Sequence, residues 1–152
     1  NHMLEHLSYK EGMSFLRECR RVLNPQTGAL RLAVPDAALL CGLYLEPEHR
    51  SSAPHSGYQK IEDFAEISDG VEQAPTSAAK LWELLFSGHQ SCYDAETLLH
   101  CLNEAGFDGR VSALHSVAPD FKDHAGLRQI VRETNDSHVC LSLVVDAIPK
   151  VG

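Results

Sequence analysis

Apolar residues recur at helical spacing near the start of the chain. They stand at positions i, i+1, i+4, i+7 and i+8, as Phe15, Leu16, Cys19, Val22 and Leu23. Ser8 followed by Glu11 is a capping box, a pattern that begins helices. Pro25 and Gly28, within "NPQTG", are stop signals. The spacing therefore predicts a helix over 9–23.

Three later segments have the pattern of β-strands. "ALRLAV" places Leu30, Leu32 and Val34 on one strongly apolar face. "RVSALHSV" at 110–117 predicts a second strand. "HVCLSLVVDAI" at 138–148 is apolar on both faces, which is typical of a strand in the middle of a sheet.

Helical patterns separate these strands. Asp36 caps a helix in "AALLCGLYL", and "SAAKLWELLFSG" predicts another. Asp94 caps a further helix that ends at "AGF", and 123–133 is predicted as a helix or a loop. Residues 46–76 are rich in proline, serine and acidic side chains, and we expect a surface insertion there with one short helix around 61–67. Alternating helices and strands predict an α/β sandwich.

Chain length and net charge narrow the classes of molecule that this protein is expected to bind. The chain has 152 residues, which suffices for one domain with a core, and no apolar run is as long as a membrane span. Its 21 acidic and 13 basic residues give a formal charge of -8. This charge argues against nucleic acid or an anionic membrane and favours a small-molecule partner.

Cysteine usage bears on the compartment. The five cysteines are odd in number and form no C-x-x-C motif. They stand mostly among apolar residues, which favours free thiols over a disulfide framework. We therefore expect a reducing, cytoplasmic setting.

The segment "HMLEH" fits the H-x-x-E-H pattern of one class of zinc peptidases. Such a site requires His2 and His6 on one continuous helix, whereas Ser8 predicts a helix that begins after both. Three glutamates could supply a third ligand, and nothing in the sequence selects among them: Glu66, Glu72 and Glu83. The peptidase interpretation is therefore a remote alternative.

Two stretches carry a resemblance to a known family. "HMLEHLSYKEGMSFLRECRRVLNPQTGALRLAVPD" and "GHQSCYDAETLLHCLNEAGF" resemble the second half of a class I S-adenosylmethionine-dependent methyltransferase. In that family a segment like "LEHL" follows the fourth strand, "RVLkPGG" precedes the fifth, and "aGF" precedes the sixth. The resemblance implies that residues 1–152 are the C-terminal half of such a domain. The fold would be a partial Rossmann-like sandwich of the fifth to seventh strands with flanking helices.

The resemblance implies a cofactor and a set of site residues. S-adenosylmethionine is the implied cofactor, although no glycine-rich G-x-G-x-x-G turn occurs in the chain. Asn1 and His2 would face the cofactor, and His2 and Asp36 are the candidate catalytic residues. Asp36 can also be a simple helix cap. His89 and Tyr93 would contact the substrate, and no metal is expected.

Two further interpretations concern the first residues. Glu5 and His6 are interpreted as helix-entry residues with a structural role. His2 and Met3 can also be a cloning remnant, in which case Asn1 and His2 are not native.

Three classes of function follow. The first is a truncated methyltransferase whose small-molecule acceptor is unknown and which is inactive as this chain alone. The second is a cofactor-free interaction or structural module on the same half-fold, and the third is the zinc peptidase. Without a fourth strand, the fifth strand would have an open edge, and we expect a homodimer to cover it.

Overall fold

The fold is that of a computed structural model, which describes residues 2–45, 74–133 and 142–151. These parts of the chain form a mixed α/β structure of five α-helices and three β-strands. The helices are α1 (Tyr9–Val22), α2 (Ala37–Leu45), α3 (Ser77–Phe86), α4 (Ala95–Glu104) and α5 (Ala125–Glu133). The strands are β1 (Leu30–Pro35), β2 (Phe107–Ser112) and β3 (Ser142–Pro149). No helix in these parts has the length and apolar character needed to cross a membrane.

Strand β3 lies between β1 and β2 and is antiparallel to both. Val145 pairs with Leu32 of β1 on one side and with Val111 of β2 on the other. The two outer strands therefore run in the same direction. The prediction that the last strand is central is confirmed for its described part, whereas 138–141 lies outside the described residues.

Helix α1 begins at the predicted capping box. The Ser8 side chain accepts a hydrogen bond from the backbone N–H of Glu11, and the Glu11 carboxylate accepts one from the backbone N–H of Ser8 at 3.0 Å. These bonds satisfy backbone donors that have no partner within the helix. The helix ends at Val22, one residue before the predicted end.

One face of the sheet packs against α1 and α4. The side chains buried there include Leu16, Leu32, Val34, Leu98, Leu102, Phe107 and Val145. Leu32 and Val34 alternate with Ala33, whose side chain packs with Val144 on the opposite face. The predicted apolar face of β1 is therefore confirmed, because a strand's side chains alternate between the two faces.

The opposite face of the sheet is covered by α5 and the residues before it. Phe121 and Leu127 form a buried cluster there, against which Ala29 and Ile148 pack. Helices thus cover both faces of the sheet, as an α/β layer arrangement requires.

A buried ion pair also lies on this opposite face. Arg31 Nη1 donates to Asp146 Oδ1 at 2.6 Å, and the two side chains are 4% and 0% exposed. Arg31 also donates to the carbonyl oxygens of Ala113 and Leu114, at 2.6 and 2.7 Å. The second Asp146 oxygen accepts from the backbone N–H of Ala118 at 2.7 Å. One arginine therefore joins two adjacent strands to the loop after β2.

The position of this loop corrects the strand predicted at 110–117. β2 runs over Phe107–Ser112 instead, immediately after Gly106. Gly106 has a φ of 89°, a left-handed conformation that lets the chain turn directly from α4 into the strand. Beyond Ser112 the carbonyl groups bind Arg31, so they are not available to a strand partner.

The remaining helix predictions agree with the structure where it describes the chain. Asp36, Thr76 and Asp94 precede α2, α3 and α4, and each side chain accepts a backbone hydrogen bond from the first turn of its helix. Within 123–133 the chain forms α5. Most of the insertion predicted at 46–76, with its helix around 61–67, lies outside the described residues.

The described cysteines carry free thiols, as predicted. They are Cys19, Cys41, Cys92 and Cys101. Burial raises the pKa of the Cys92 thiol, and neighbouring Cys41 and Asp94 raise it further. A thiol with a raised pKa is a poor nucleophile at neutral pH, so the structure gives Cys92 no support for a catalytic role.

Replacing Asp94 with alanine should lower the free energy of unfolding by about 1 kcal/mol at pH 7, because α4 loses its N-cap. Hydrogen bonds from the backbone and then the side chain of Thr97 lower the pKa of Asp94 in the folded protein. The ionised cap therefore stabilises the fold above the ordinary aspartate pKa of about 3.9, and this stabilisation is lost as the pH falls below that value. Urea unfolding of both proteins at pH 7 and near pH 3 should show a smaller difference at low pH. An equal difference at both pH values would contradict the role of the ionised carboxylate.

Candidate functional site

The segment "HMLEH" lies beside β1. The backbone N–H of His2 donates to the carbonyl oxygen of Ala33 at 2.8 Å, on the edge of β1 that β3 does not occupy. His2 itself has a φ of 49°, in the left-handed region that few side chains adopt. Leu4–His6 then form a single 3-10 turn, and Leu4 is buried in the core.

This segment does not contain the helix that an H-x-x-E-H zinc site requires. His2 precedes the three-residue turn Leu4–His6, and Ser8 begins a separate helix after it. The His2 ring contacts Glu5 at 3.2 Å through Nδ1 and Ser142 Oγ at 2.7 Å through Nε2. The two histidines of the motif therefore do not share a helical face, which removes the structural basis of the peptidase interpretation.

Glu5 is an acid buried within the turn, with 1% of its surface exposed. Neither carboxylate oxygen has a hydrogen-bond partner among the described residues, and the nearest cationic group is the His2 ring, whose Nδ1 lies 3.2 Å from Oε1. Burial raises the pKa of Glu5, but His2, the local backbone and His89 together lower it by more. Glu5 is therefore an ionised carboxylate held in the interior at neutral pH.

Hydrogen bonds join this turn to the residues that follow α3. The carbonyl oxygen of Glu5 accepts from the backbone N–H groups of Gln90 and Ser91, at 2.8 and 3.0 Å. The side-chain amide of Gln90 donates to the carbonyl oxygen of His6 at 2.9 Å. These bonds place His89, which is distant in sequence, beside His6.

The rings of His6 and His89 meet edge to face, with centroids 4.8 Å apart. His6 Nδ1 lies 3.0 Å from the carbonyl oxygen of Gly88, and His89 Nδ1 lies 3.0 Å from that of Leu85. A carbonyl oxygen only accepts, so each Nδ1 carries a proton, and a neutral ring then has its lone pair on Nε2. Glu5, His6 and His89 each offer one ligand atom, and these atoms lie within 4.8 Å of one another.

Asp36 and Tyr93 meet at the end of β1 in a short parallel bridge. The backbone N–H of Ala37 donates to the carbonyl oxygen of Tyr93 at 3.0 Å. Asp36 Oδ1 accepts from the backbone N–H of Leu39 at 3.1 Å, so the carboxylate acts as a helix cap. Burial raises the pKa of Asp36, and the helix backbone lowers it only in part. The Tyr93 side chain is 2% exposed, and burial raises its pKa also.

The structure therefore places the predicted site residues in two sets. His2 and His89 lie at the turn Leu4–His6, where His2 contacts Glu5 and His89 contacts His6. Asp36 and Tyr93 form the second set through their bridge, and Asn1 lies outside the described residues. The sequence interpretation gave Glu5 and His6 a structural role at the helix entry and missed the burial of the carboxylate. The motif "LEH" contains both residues, but no spacing in the sequence indicates their proximity to His89.

The glutamates considered as third ligands do not join this group. Glu66 and Glu72 lie outside the described residues, and Glu83 lies on α3 without belonging to the cluster.

Comparison of the chain with protein-family models, with curated proteins and with solved structures gives no significant match.

Proposed function

We propose that this chain supplies the C-terminal half of an S-adenosylmethionine-dependent methyltransferase domain that acts on a small-molecule acceptor. The observation that carries the proposal is the 2.8 Å hydrogen bond from His2 N–H to the Ala33 carbonyl oxygen. It places the segment before Leu4 along the outer edge of β1, where the resemblance puts the end of the fourth strand. The order β1-β3-β2 supports the same assignment, with the last strand inserted between two strands of common direction.

The arrangement of the loops also supports a ligand site at the end of β1. The carboxyl end of this strand leads through Asp36 into α2, and Tyr93 is bridged to it there. His2 lies on the adjacent edge of the strand. In open α/β sheets, ligands bind beyond the carboxyl ends of strands, and several loops meet at that place.

Methyl transfer places particular demands on such a site. A lone pair of the acceptor forms the new bond to the methyl carbon while the carbon–sulfur bond breaks and its electron pair returns to sulfur. Holding the acceptor and the methyl group in line accounts for most of the acceleration. In this proposal His2 positions the reacting groups, and Asp36, whose pKa burial raises, accepts a proton where the acceptor carries one.

Titration calorimetry with S-adenosylhomocysteine tests the proposal. The sample is the folded product of the longest open reading frame that contains this chain. We expect saturable binding in the micromolar range. His2→Ala should weaken it about tenfold, as the loss of one charge-assisted contact would. His100→Ala, on the exposed surface of α4, is the matched control and should bind as the parent does.

Absence of binding by that folded product would overturn the methyltransferase proposal and favour the cofactor-free module. Sedimentation of the same samples reports on the edge of β1. If the reading frame adds no upstream half, a dimer at micromolar concentration is expected, because the open edge requires a partner. A monomer that binds no S-adenosylhomocysteine would contradict both the cofactor site and the dimer.

A further inference from the structure

Glu5 is a buried acid whose only ion-pair partner in the described structure is the partly exposed ring of His2. Its side chain is 2% exposed, and both oxygens lack a hydrogen-bond donor. Buried carboxylates in proteins are normally hydrogen-bonded, paired with a cation or bound to a metal, because an uncompensated buried charge is strongly unfavourable. His2 lies 3.2 Å away, but its ring is 37% exposed and also contacts Ser142. The carboxylate therefore indicates a further, positively charged partner.

The two neighbouring histidines have the arrangement of metal ligands. Each donates its Nδ1 proton to a backbone carbonyl, His6 to Gly88 and His89 to Leu85, both at 3.0 Å. Histidines that bind metals characteristically donate the second ring N–H in this way, which fixes the tautomer and the ring orientation. No hydrogen bond occupies Nε2 of either ring within the described parts of the chain, so both lone pairs are available.

From these observations we infer that Glu5, His6 and His89 bind a divalent first-row transition metal ion, with zinc as the representative case. Two imidazole nitrogens and one carboxylate oxygen suit zinc and its neighbours, whereas magnesium and calcium prefer oxygen ligands alone. Three protein ligands leave a coordination position for water or for a substrate atom. This set differs from the H-x-x-E-H pairing, because His89 replaces His2.

The distances allow the site to close around an ion with small movements. One ring nitrogen of each histidine and one oxygen of Glu5 lie within 4.8 Å of one another. Ligand atoms around a tetrahedral zinc ion are about 3.4 Å apart, given zinc–nitrogen and zinc–oxygen bonds near 2.1 Å. Side-chain rotations that move the ligand atoms by about 1 Å would therefore bring them to this spacing. The backbone bonds between Glu5 and Gln90 already hold the two segments together.

Zinc titration into the untagged, folded chain tests this inference. We expect one equivalent of zinc bound per chain, with a dissociation constant of about 1 µM or lower. Glu5→Gln and His89→Ala should each weaken binding at least about 100-fold, since the loss of a direct ligand exceeds the 10–100-fold effect of losing an outer contact. His100→Ala is the control and should leave the affinity unchanged. Cobalt substitution should give the visible absorption of a four- or five-coordinate site, which His89→Ala abolishes.

Three results would overturn the inference. They are no zinc binding tighter than about 100 µM by the folded chain, equal affinity in the parent and in His89→Ala, and loss of binding in His100→Ala. Circular dichroism identifies variants that fail to fold. If Glu5→Gln is one of these, the half-buried His89 still supplies the test. The inference does not depend on methyltransferase activity, because zinc binding is measured without S-adenosylhomocysteine.

Discussion

Replacing Arg31 with methionine should lower the free energy of unfolding by about 3–5 kcal/mol, the range found when one partner of a buried ion pair is removed. Methionine keeps most of the apolar stem but leaves the Asp146 carboxylate, which is 0% exposed, without its cation. The carbonyl groups of Ala113 and Leu114 also lose their donors. Urea unfolding at pH 7, followed by circular dichroism, measures this change.

Two control variants test whether the loss of stability comes from the unpaired buried charge and not from the removal of any arginine. Arg21→Met removes an ion pair with Glu18 whose side chains are 70% and 59% exposed, and the unfolding midpoint should not change measurably. Combining Arg31→Met with Asp146→Asn should restore part of the lost stability, because the double variant contains no unpaired charge in the interior. A loss below about 1 kcal/mol in the single variant would show that Arg31 does not stabilise the fold through this pair.

The helices and the first strand could be predicted because their signals are local. Ser8 and Glu11 form the cap of α1 within one turn, and Asp94 caps α4 in the same way. The alternation of Leu32 and Val34 with Ala33 assigns the faces of β1 within three residues. Each of these features depends only on residues that are close together in the sequence.

The ion pair and the Glu5 cluster could not be predicted for the opposite reason. Arg31 and Asp146 are 115 positions apart, and only the antiparallel register of β1 and β3 places them opposite each other. Glu5 and His89 come together because backbone hydrogen bonds join two separate turns. Such contacts depend on the complete fold, so they cannot be predicted from residue types and their spacing in the sequence.

The error in the predicted start of β2 has a simpler cause. The segment 110–117 alternates in sequence much as a strand does, whereas Phe107, Asp108 and Gly109 do not. The structure instead places Phe107 at 0% exposure, opposite Pro149 of β3. A buried aromatic side chain immediately after the turn at Gly106 determines where the strand begins, and Val111 remains 48% exposed.

Phe107→Ala should therefore destabilise the protein by about 3–5 kcal/mol, because it removes a fully buried ring and leaves a cavity beneath α4. Val111→Ala, four residues later on the same strand, should change the unfolding free energy by no more than about 0.5 kcal/mol. Urea unfolding of the two variants compares these positions directly, with an unchanged dependence on urea concentration as the check for a two-state transition.

The comparison also distinguishes the two assignments of the strand. A strand over 110–117 would place Val111 among the side chains that contribute most to the free energy of unfolding, and it would leave Phe107 in a loop. Val111→Ala would then be the more destabilising change. The observed register gives the reverse order, because Phe107 packs with Leu98 and Leu102 in the same core as Leu4. The core beneath Phe107 is thus continuous with the turn that holds Glu5. At temperatures where Phe107→Ala remains folded, its affinity for zinc should equal that of the parent, since Phe107 is not one of the three proposed ligands.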